Sequence, residues 1–291
     1  MGGLRVNAID IRNVFKSYPE FTMQDVTLQL PEGMILGLIG ENGSGKTTLI
    51  KLIMGMCKKD AGAIEVLGCS DLAGNPAMKE EIGVVPDEVF LPPFMKAEEI
   101  GVLAAKFYRS WDAARYRELL DMLRIPLKTP FKDLSKGNKM RCGFACALSH
   151  RPKLLILDEA TAGLDPIVRD EILDLLTDFT RQEDHSILIS SHIVSDLERV
   201  CDYVTFLHEG SVLLTQEKDL LKEECRKIVC SVRELSAIPQ EALVGKRETP
   251  YGAECIVRKW GVPEGVNASP VSLEEIYVMM VKGEAHERAA I

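Results

Sequence analysis

Residues Gly40 to Thr47 read Gly-Glu-Asn-Gly-Ser-Gly-Lys-Thr, a complete G-x-x-x-x-G-K-[ST] phosphate-binding pattern. It lies between the apolar run Met34 to Ile39 and the helix-like segment Thr48 to Ile53. The expected local order is therefore strand, tight loop, helix. Gly40, Gly43 and Gly45 let the backbone curl until successive N–H groups point inward at a triphosphate, where the helix N-terminus adds partial positive charge. Lys46 supplies a mobile charge for the outer phosphates and Thr47 a hydroxyl for magnesium. Glu41, Asn42, Ser44 and Thr48 complete the expected contact set of the loop.

Around this loop, 291 residues are enough for one large domain with a small appendage. A formal net charge of −9 argues against DNA, other nucleic acid or anionic lipid as the main ligand, since both reward a basic surface. No apolar run approaches the roughly 18 residues that span a bilayer, and Met1 to Arg5 begin no long apolar signal core. A soluble, cytoplasmic chain is expected. The eight cysteines form no C-x-x-C pair. Cys142 and Cys146, four apart on an expected helix, read as small core residues rather than half a metal site.

Ala8 to Phe15 and Asp25 to Leu30 alternate like strands, so a β-rich entry is expected. Ala63 to Leu67 and Ile82 to Val85 add further strands. From Ala97 to Leu123 apolar residues recur at helical spacing, giving a helical insert of two helices divided near Trp111 and Asp112. Lys153 to Asp158 and Ser186 to Ser190 are short apolar runs of the kind found in parallel sheets. Strands alternating with helices imply a mostly parallel α/β core. Beyond Gln216 the pattern changes to a helix over Glu217 to Glu224, strands over Lys227 to Val232 and Glu254 to Val257, and a helix over Ser272 to Val281. This reads as a small α+β tail. The expected division is residues 1–215, with a helical subdomain over about 88–150, and residues 216–291.

A phosphate loop alone fits many enzymes, so the decision falls to the motifs downstream of it. The buried strand Leu154 to Leu157 ends in Asp158, a carboxylate suited to the magnesium shell, and Glu159 beside it is placed to orient an attacking water. Leu134-Ser135-Lys136-Gly137-Asn138 sets a serine N-cap before another helix, a second anion-binding helix start. Asp165 closes the run Ala-Gly-Leu-Asp, and Ser190-Ser191 leads into the ionisable His192.

In this order the motifs resemble those of the ABC transporter ATPases, over roughly Ala8 to Leu214. The resemblance implies a P-loop NTPase core with an N-terminal antiparallel β subdomain and a helical signature subdomain. It also assigns roles: Tyr18 stacks on adenine, Asp158 and Thr47 hold magnesium, Glu159 polarises water, and His192 senses the γ-phosphate. Leu134 to Asn138 match the signature motif and Asp165 the D-loop. In that family two subunits meet head to tail, each signature helix covering the ATP of the other. A second ABC subunit, ATP and Mg2+ are therefore implied, as is a separate transmembrane permease that holds the chain at the inner membrane face. Within the family the chain looks most like bacterial exporter-type cassettes, including the Ytr group.

Several positions depart from the family pattern. The signature reads LSKGN where LSGGQ is common, and Lys136 either adds charge near a phosphate or lies in solvent. Asp87 stands where glutamine is usual after Val84-Val85-Pro86; its carboxylate can ligate magnesium but has no donor N–H. Ala160 and Gly163 replace a usual proline and alanine. The apolar stretch Val89 to Met95 suggests a docking groove, which in the family receives the permease. The rival reading is a soluble ABC ATPase of translation or DNA maintenance. Against it stand the single cassette and the lack of a long heptad run.

Overall fold

The computed structural model describes residues 6–250 and 252–282. Met1 to Arg5, where no signal core is expected, and the end of the expected tail beyond 282 lie outside the described residues.

Strands β1 (Asn7–Tyr18) and β2 (Phe21–Pro31) form an antiparallel hairpin, and β3 (Ile35–Ile39) runs directly into the phosphate loop and α1 (Lys46–Ile53). Then come β4 (Ala61–Val66), the one-turn α2 (Pro76–Lys79) and β5 (Ile82–Val85). Three helices follow, α3 (Ala97–Ala104), α4 (Ala113–Met122) and α5 (Lys136–Leu148), before β6 (Leu154–Asp158). Next are α6 (Pro166–Phe179), β7 (Ser186–Ser191), α7 (Val194–Val200), β8 (Tyr203–His208) and β9 (Ser211–Glu217). The C-terminal part holds α8 (Lys218–Glu224), β10 (Cys225–Cys230), α9 (Val232–Leu235), β11 (Leu243–Thr249), β12 (Gly252–Arg258), β13 (Ala268–Ser269) and α10 (Leu273–Lys282).

The central sheet has the order β5-β6-β7-β3-β8-β9, parallel except for the antiparallel edge strand β9. Every residue of β3, β6 and β7 is buried, which explains why these strands read as continuous apolar runs and not as alternations. Parallel strands put their C-terminal ends on one edge, and ligand crevices of α/β folds open there. Here that edge carries the loop after β3, Asp158 at the end of β6 with Glu159 next to it, and His192 after β7. The hairpin and β4 form a second, antiparallel sheet, β2-β1-β4, over one side of the core.

Helices α3, α4 and α5 pack through Tyr116, Leu119, Leu120, Met140 and Phe144, all buried. Asp112 starts α4 by accepting from the N–H groups of Ala114 and Arg115, at 3.0 and 2.9 Å. The third sheet, β11-β12-β10-β13, has its own small core around Ile228, Cys255 and Val257. The strand expected over Lys227 to Val232 stops at Cys230. Ser231 and Glu234 form a capping box, each satisfying the other's backbone N–H, and this turns Val232 into the start of α9. No helix among the described residues is long and apolar enough to cross a membrane.

His150 links α5 to the sheet. Its ring lies 4.2 Å from that of Tyr108, nearly parallel, and Nδ1 donates to Glu80 O at 2.9 Å. Burial pushes the imidazole pKa below the ordinary histidine range, so the fold favours the neutral ring. The resulting stability is present above the unfolded histidine pKa and is lost as pH falls through the folded one. Thermal midpoints measured from pH 7.5 to pH 5 should therefore fall less steeply in His150→Gln than in the parent, whatever the offset between them; parallel curves would exclude this residue.

Candidate functional site: a nucleotide cradle at the sheet edge

The loop after β3 turns sharply into α1, whose N-cap is Gly45 at φ 110°, with no side chain capping the helix. A Cβ there would stand 2.7 Å from Phe21 Cζ, so the left-handed backbone and the pressed-in hairpin both require glycine. The first-turn N–H groups of α1 are thus left for an anion. By contrast, α5 and α6 begin with side-chain caps: Ser135 Oγ accepts from Asn138 N at 3.3 Å, and Asp165 Oδ1 from Ile167 N and Val168 N, both at 3.1 Å.

Lys46 is only 6% exposed, and its ammonium donates to Gly40 O at 2.7 Å and Glu41 O at 3.2 Å. Its third close oxygen is Glu159 Oε1, at 3.1 Å. Glu159 is held from the other side by His192: Nδ1 donates to Oε2 at 2.6 Å, and the backbone N–H to the same oxygen at 3.3 Å. One carboxylate thus joins the loop after β3 to the residue after β7.

That position depends on a strained backbone. Glu159 has φ 52°, a left-handed conformation that costs a non-glycine residue about 1 kcal/mol or more. Its N–H donates to both the carbonyl and the hydroxyl of Ser190, at 3.1 and 3.0 Å. The same hydroxyl donates to Asp158 Oδ1 at 2.6 Å, across the register pair Asp158 and Ser190. Ser190 therefore sets both carboxylates, a role that the sequence alone does not assign to it. Its one linear signal is its place at the end of an apolar strand, two residues before His192.

Magnesium takes oxygen ligands, and usually few of them from protein, with waters and phosphates completing its shell. Among the described residues no group of three or more His, Cys, Asp or Glu could hold a metal. The exposed Thr47 hydroxyl and the buried Asp158 carboxylate give the sparse, hard-oxygen donor set that magnesium accepts. Cys142 is buried on α5, and Cys146 beside it joins no such group.

Tyr18 lies at the tip of the β1–β2 hairpin, register partner of the same Phe21 that packs on Gly45. Its ring is partly exposed, with the Lys16 ammonium 5.2 Å from its centroid. Glu41 and Asn42 are exposed on the loop, and the Ser44 hydroxyl is buried within it without a hydrogen-bond partner. Asp87 is exposed after β5, its Oδ1 accepting from Glu88 N at 2.8 Å. It lines a cleft of about 850 Å³ together with Asn42, Lys136, Glu159 and His192. In the apolar stretch after it, Val89, Leu91 and Met95 pack inward while Phe90 and Phe94 are 81% and 76% exposed.

Lys136 has a partner within the chain. Its ammonium donates to Ala162 O at 2.7 Å, tying the start of α5 to the segment before α6. A Cβ at Gly163 would fall 2.8 Å from that ammonium, and Gly163 has φ 67°. The two departures, Gly163 and Lys136, therefore meet in the fold. A Cβ on Gly137 would likewise meet Val168 Cγ2 at 3.3 Å, so the signature backbone lies close against α6. Leu134 is buried beneath it.

Residues 23–162 match the family described as ABC transporter. The chain is 31% identical over 291 residues to ABC transporter ATP-binding protein YtrB of Bacillus subtilis (strain 168), covering 95% of this chain and 99% of that protein. It is 34% identical over 221 residues to the lantibiotic transport ATP-binding protein SrtF of Streptococcus pyogenes, covering 72% and 91%. A solved ATP-binding subunit of an ABC transporter superposes with TM-score 0.67 at 29% identity, covering 74% and 92%. At 31% identity to YtrB over nearly the whole of both chains, the chain belongs to the family of ABC transporter ATP-binding proteins, the ATP-hydrolysing subunits of these transporters.

Proposed function

We propose that two cassettes of this kind pair head to tail around two Mg-ATP and drive a separate membrane permease of the bacterial exporter type, holding the chain at the cytoplasmic face of the membrane. The observation that carries the hydrolytic part is the Glu159 carboxylate held between the Lys46 ammonium and His192 Nδ1 at the mouth of the phosphate loop. Translation or DNA-maintenance ATPases are the less favoured reading, because the matched relatives are transport proteins by name.

ATP enters with its adenine on Tyr18 and its phosphates against the loop amides and the uncapped start of α1. Lys46 exchanges Glu159 for phosphate oxygens, which frees one carboxylate oxygen, while His192 keeps the other oriented. Glu159 then aligns the attacking water and takes up its proton as the phosphoryl group transfers. Thr47 and Asp158 would hold Mg2+, which supplies charge neutralisation on the phosphates when bound. Asp87 borders the same cleft and serves as a third candidate oxygen ligand. Leu134, Ser135, Gly137 and Asn138 present the signature helix to the partner's nucleotide, and Asp165 fixes the segment beside it. Phe90 and Phe94 offer the permease an apolar contact.

Two substitutions divide these roles. Glu159→Gln should keep ATP binding and lower steady-state hydrolysis by about 100-fold or more, the range of a positioned base; an unchanged rate removes Glu159 from the chemistry. Lys136→Met breaks the tie to Ala162 without touching the chain's own loop. It should reduce turnover about fivefold, within the range for residues that couple elements, while the ATP dissociation constant stays as in the parent. A shift confined to ATP affinity would place Lys136 on the nucleotide instead.

A further inference from the structure

The C-terminal part reaches the nucleotide loop through one side chain. Tyr277, on α10, accepts a hydrogen bond at its hydroxyl from the backbone N–H of Glu41, at 3.0 Å. Glu41 N–H and Gly40 C=O belong to a single peptide unit, and that carbonyl accepts from Lys46 Nζ at 2.7 Å. The chain of contacts therefore runs from the Tyr277 hydroxyl, through one amide, to the ammonium that serves the phosphates. Hydrogen bonds at the two ends of an amide polarise it and strengthen each other. A donor engaged by Tyr277 makes the Gly40 carbonyl a better acceptor and fixes the plane of the peptide that opens the loop.

The tyrosine is itself held in place. Its ring meets Phe206 edge-on, with centroids 5.4 Å apart and planes at 68°. Phe206 is the register partner of Ile39, the last residue before the loop. On the same helix Leu273 and Ile276 are fully buried in the core shared with β8 and α7. The Glu41 carboxylate lies beside His208, with Oε1 2.8 Å from Nδ1 at the end of β8. Burial raises the Tyr277 phenol above its ordinary range, so the hydroxyl is neutral and remains an acceptor for the amide.

We infer that Tyr277 is a positioning residue of the ATP site, through which the docked C-terminal helix pre-organises the Gly40–Glu41 peptide and thereby sets nucleotide affinity. This rests on the reading of the loop as the ATP site. A preformed loop binds more tightly because less ordering remains to be done on binding.

The test uses the full chain with Tyr277→Phe, which keeps the ring against Phe206 and removes only the hydroxyl. Titration with a fluorescent ADP should give a dissociation constant about two- to tenfold weaker, the range of one neutral hydrogen bond. The KM for ATP should rise in parallel while kcat at saturating ATP stays within about twofold of the parent, because the hydroxyl touches neither Glu159 nor His192. In 15N-labelled protein without nucleotide, the Glu41 amide resonance should shift in the variant. An unchanged or tighter dissociation constant, or an unmoved Glu41 amide, overturns the inference. Lys46→Ala is titrated alongside. Retained binding in that variant overturns the loop reading itself, whereas lost binding there with an unchanged Tyr277→Phe overturns the role of Tyr277 alone.

Discussion

The contact between the Lys46 ammonium and the Glu159 carboxylate is the constraint on which the rest of the site depends. A lysine this buried needs anionic or carbonyl partners, since an uncompensated charge in the interior is costly. Two of its partners are carbonyls of its own loop and the third comes from the next strand but one, so before nucleotide binds the loop is tied to the end of β6. Ser190 of β7 fixes that end in turn, by holding the Glu159 amide and the Asp158 carboxylate together. The left-handed backbone at Glu159 is stable because these bonds over-determine it.

From this centre, two further ties run outward. Lys136 fastens the start of α5 to the carbonyl of Ala162, in the segment leading to Asp165. Tyr277 fastens the C-terminal helix to the loop peptide. Both are single polar contacts set on well-packed apolar supports. A single such contact adds little to stability, about 1 kcal/mol.

How much of this is legible in the sequence depends on how local each feature is. The phosphate loop lies within eight consecutive residues, and its strand and helix adjoin it, so a linear reading finds it whole. Asp158 and Glu159 are legible because a buried parallel strand must be apolar up to the point where it ends at a ligand. Their meeting with Lys46 and His192 is a product of strand order, which a linear reading supplies only through family resemblance. The left-handed turn at Glu159 has no compositional mark, since glutamate is not a residue that signals positive φ. Val232 reads as strand because β-branched residues favour strands, but a capping box at Ser231 and Glu234 outweighs that preference. The Lys136 and Tyr277 ties join residues 26 and 236 positions apart, and no local pattern encodes either.

In the proposed pair, a loop of one chain and a signature helix of another make one catalytic unit. The most direct measurement mixes two purified variants, Lys46→Ala with a disabled loop and Ser135→Arg with a disabled signature, and follows ATP hydrolysis. Only a mixed dimer contains one intact loop facing one intact signature. The account predicts hydrolysis in the mixture well above the sum of the two variants measured alone. A mixture no more active than that sum, from variants that each fold and exchange partners, would contradict a site shared between two chains.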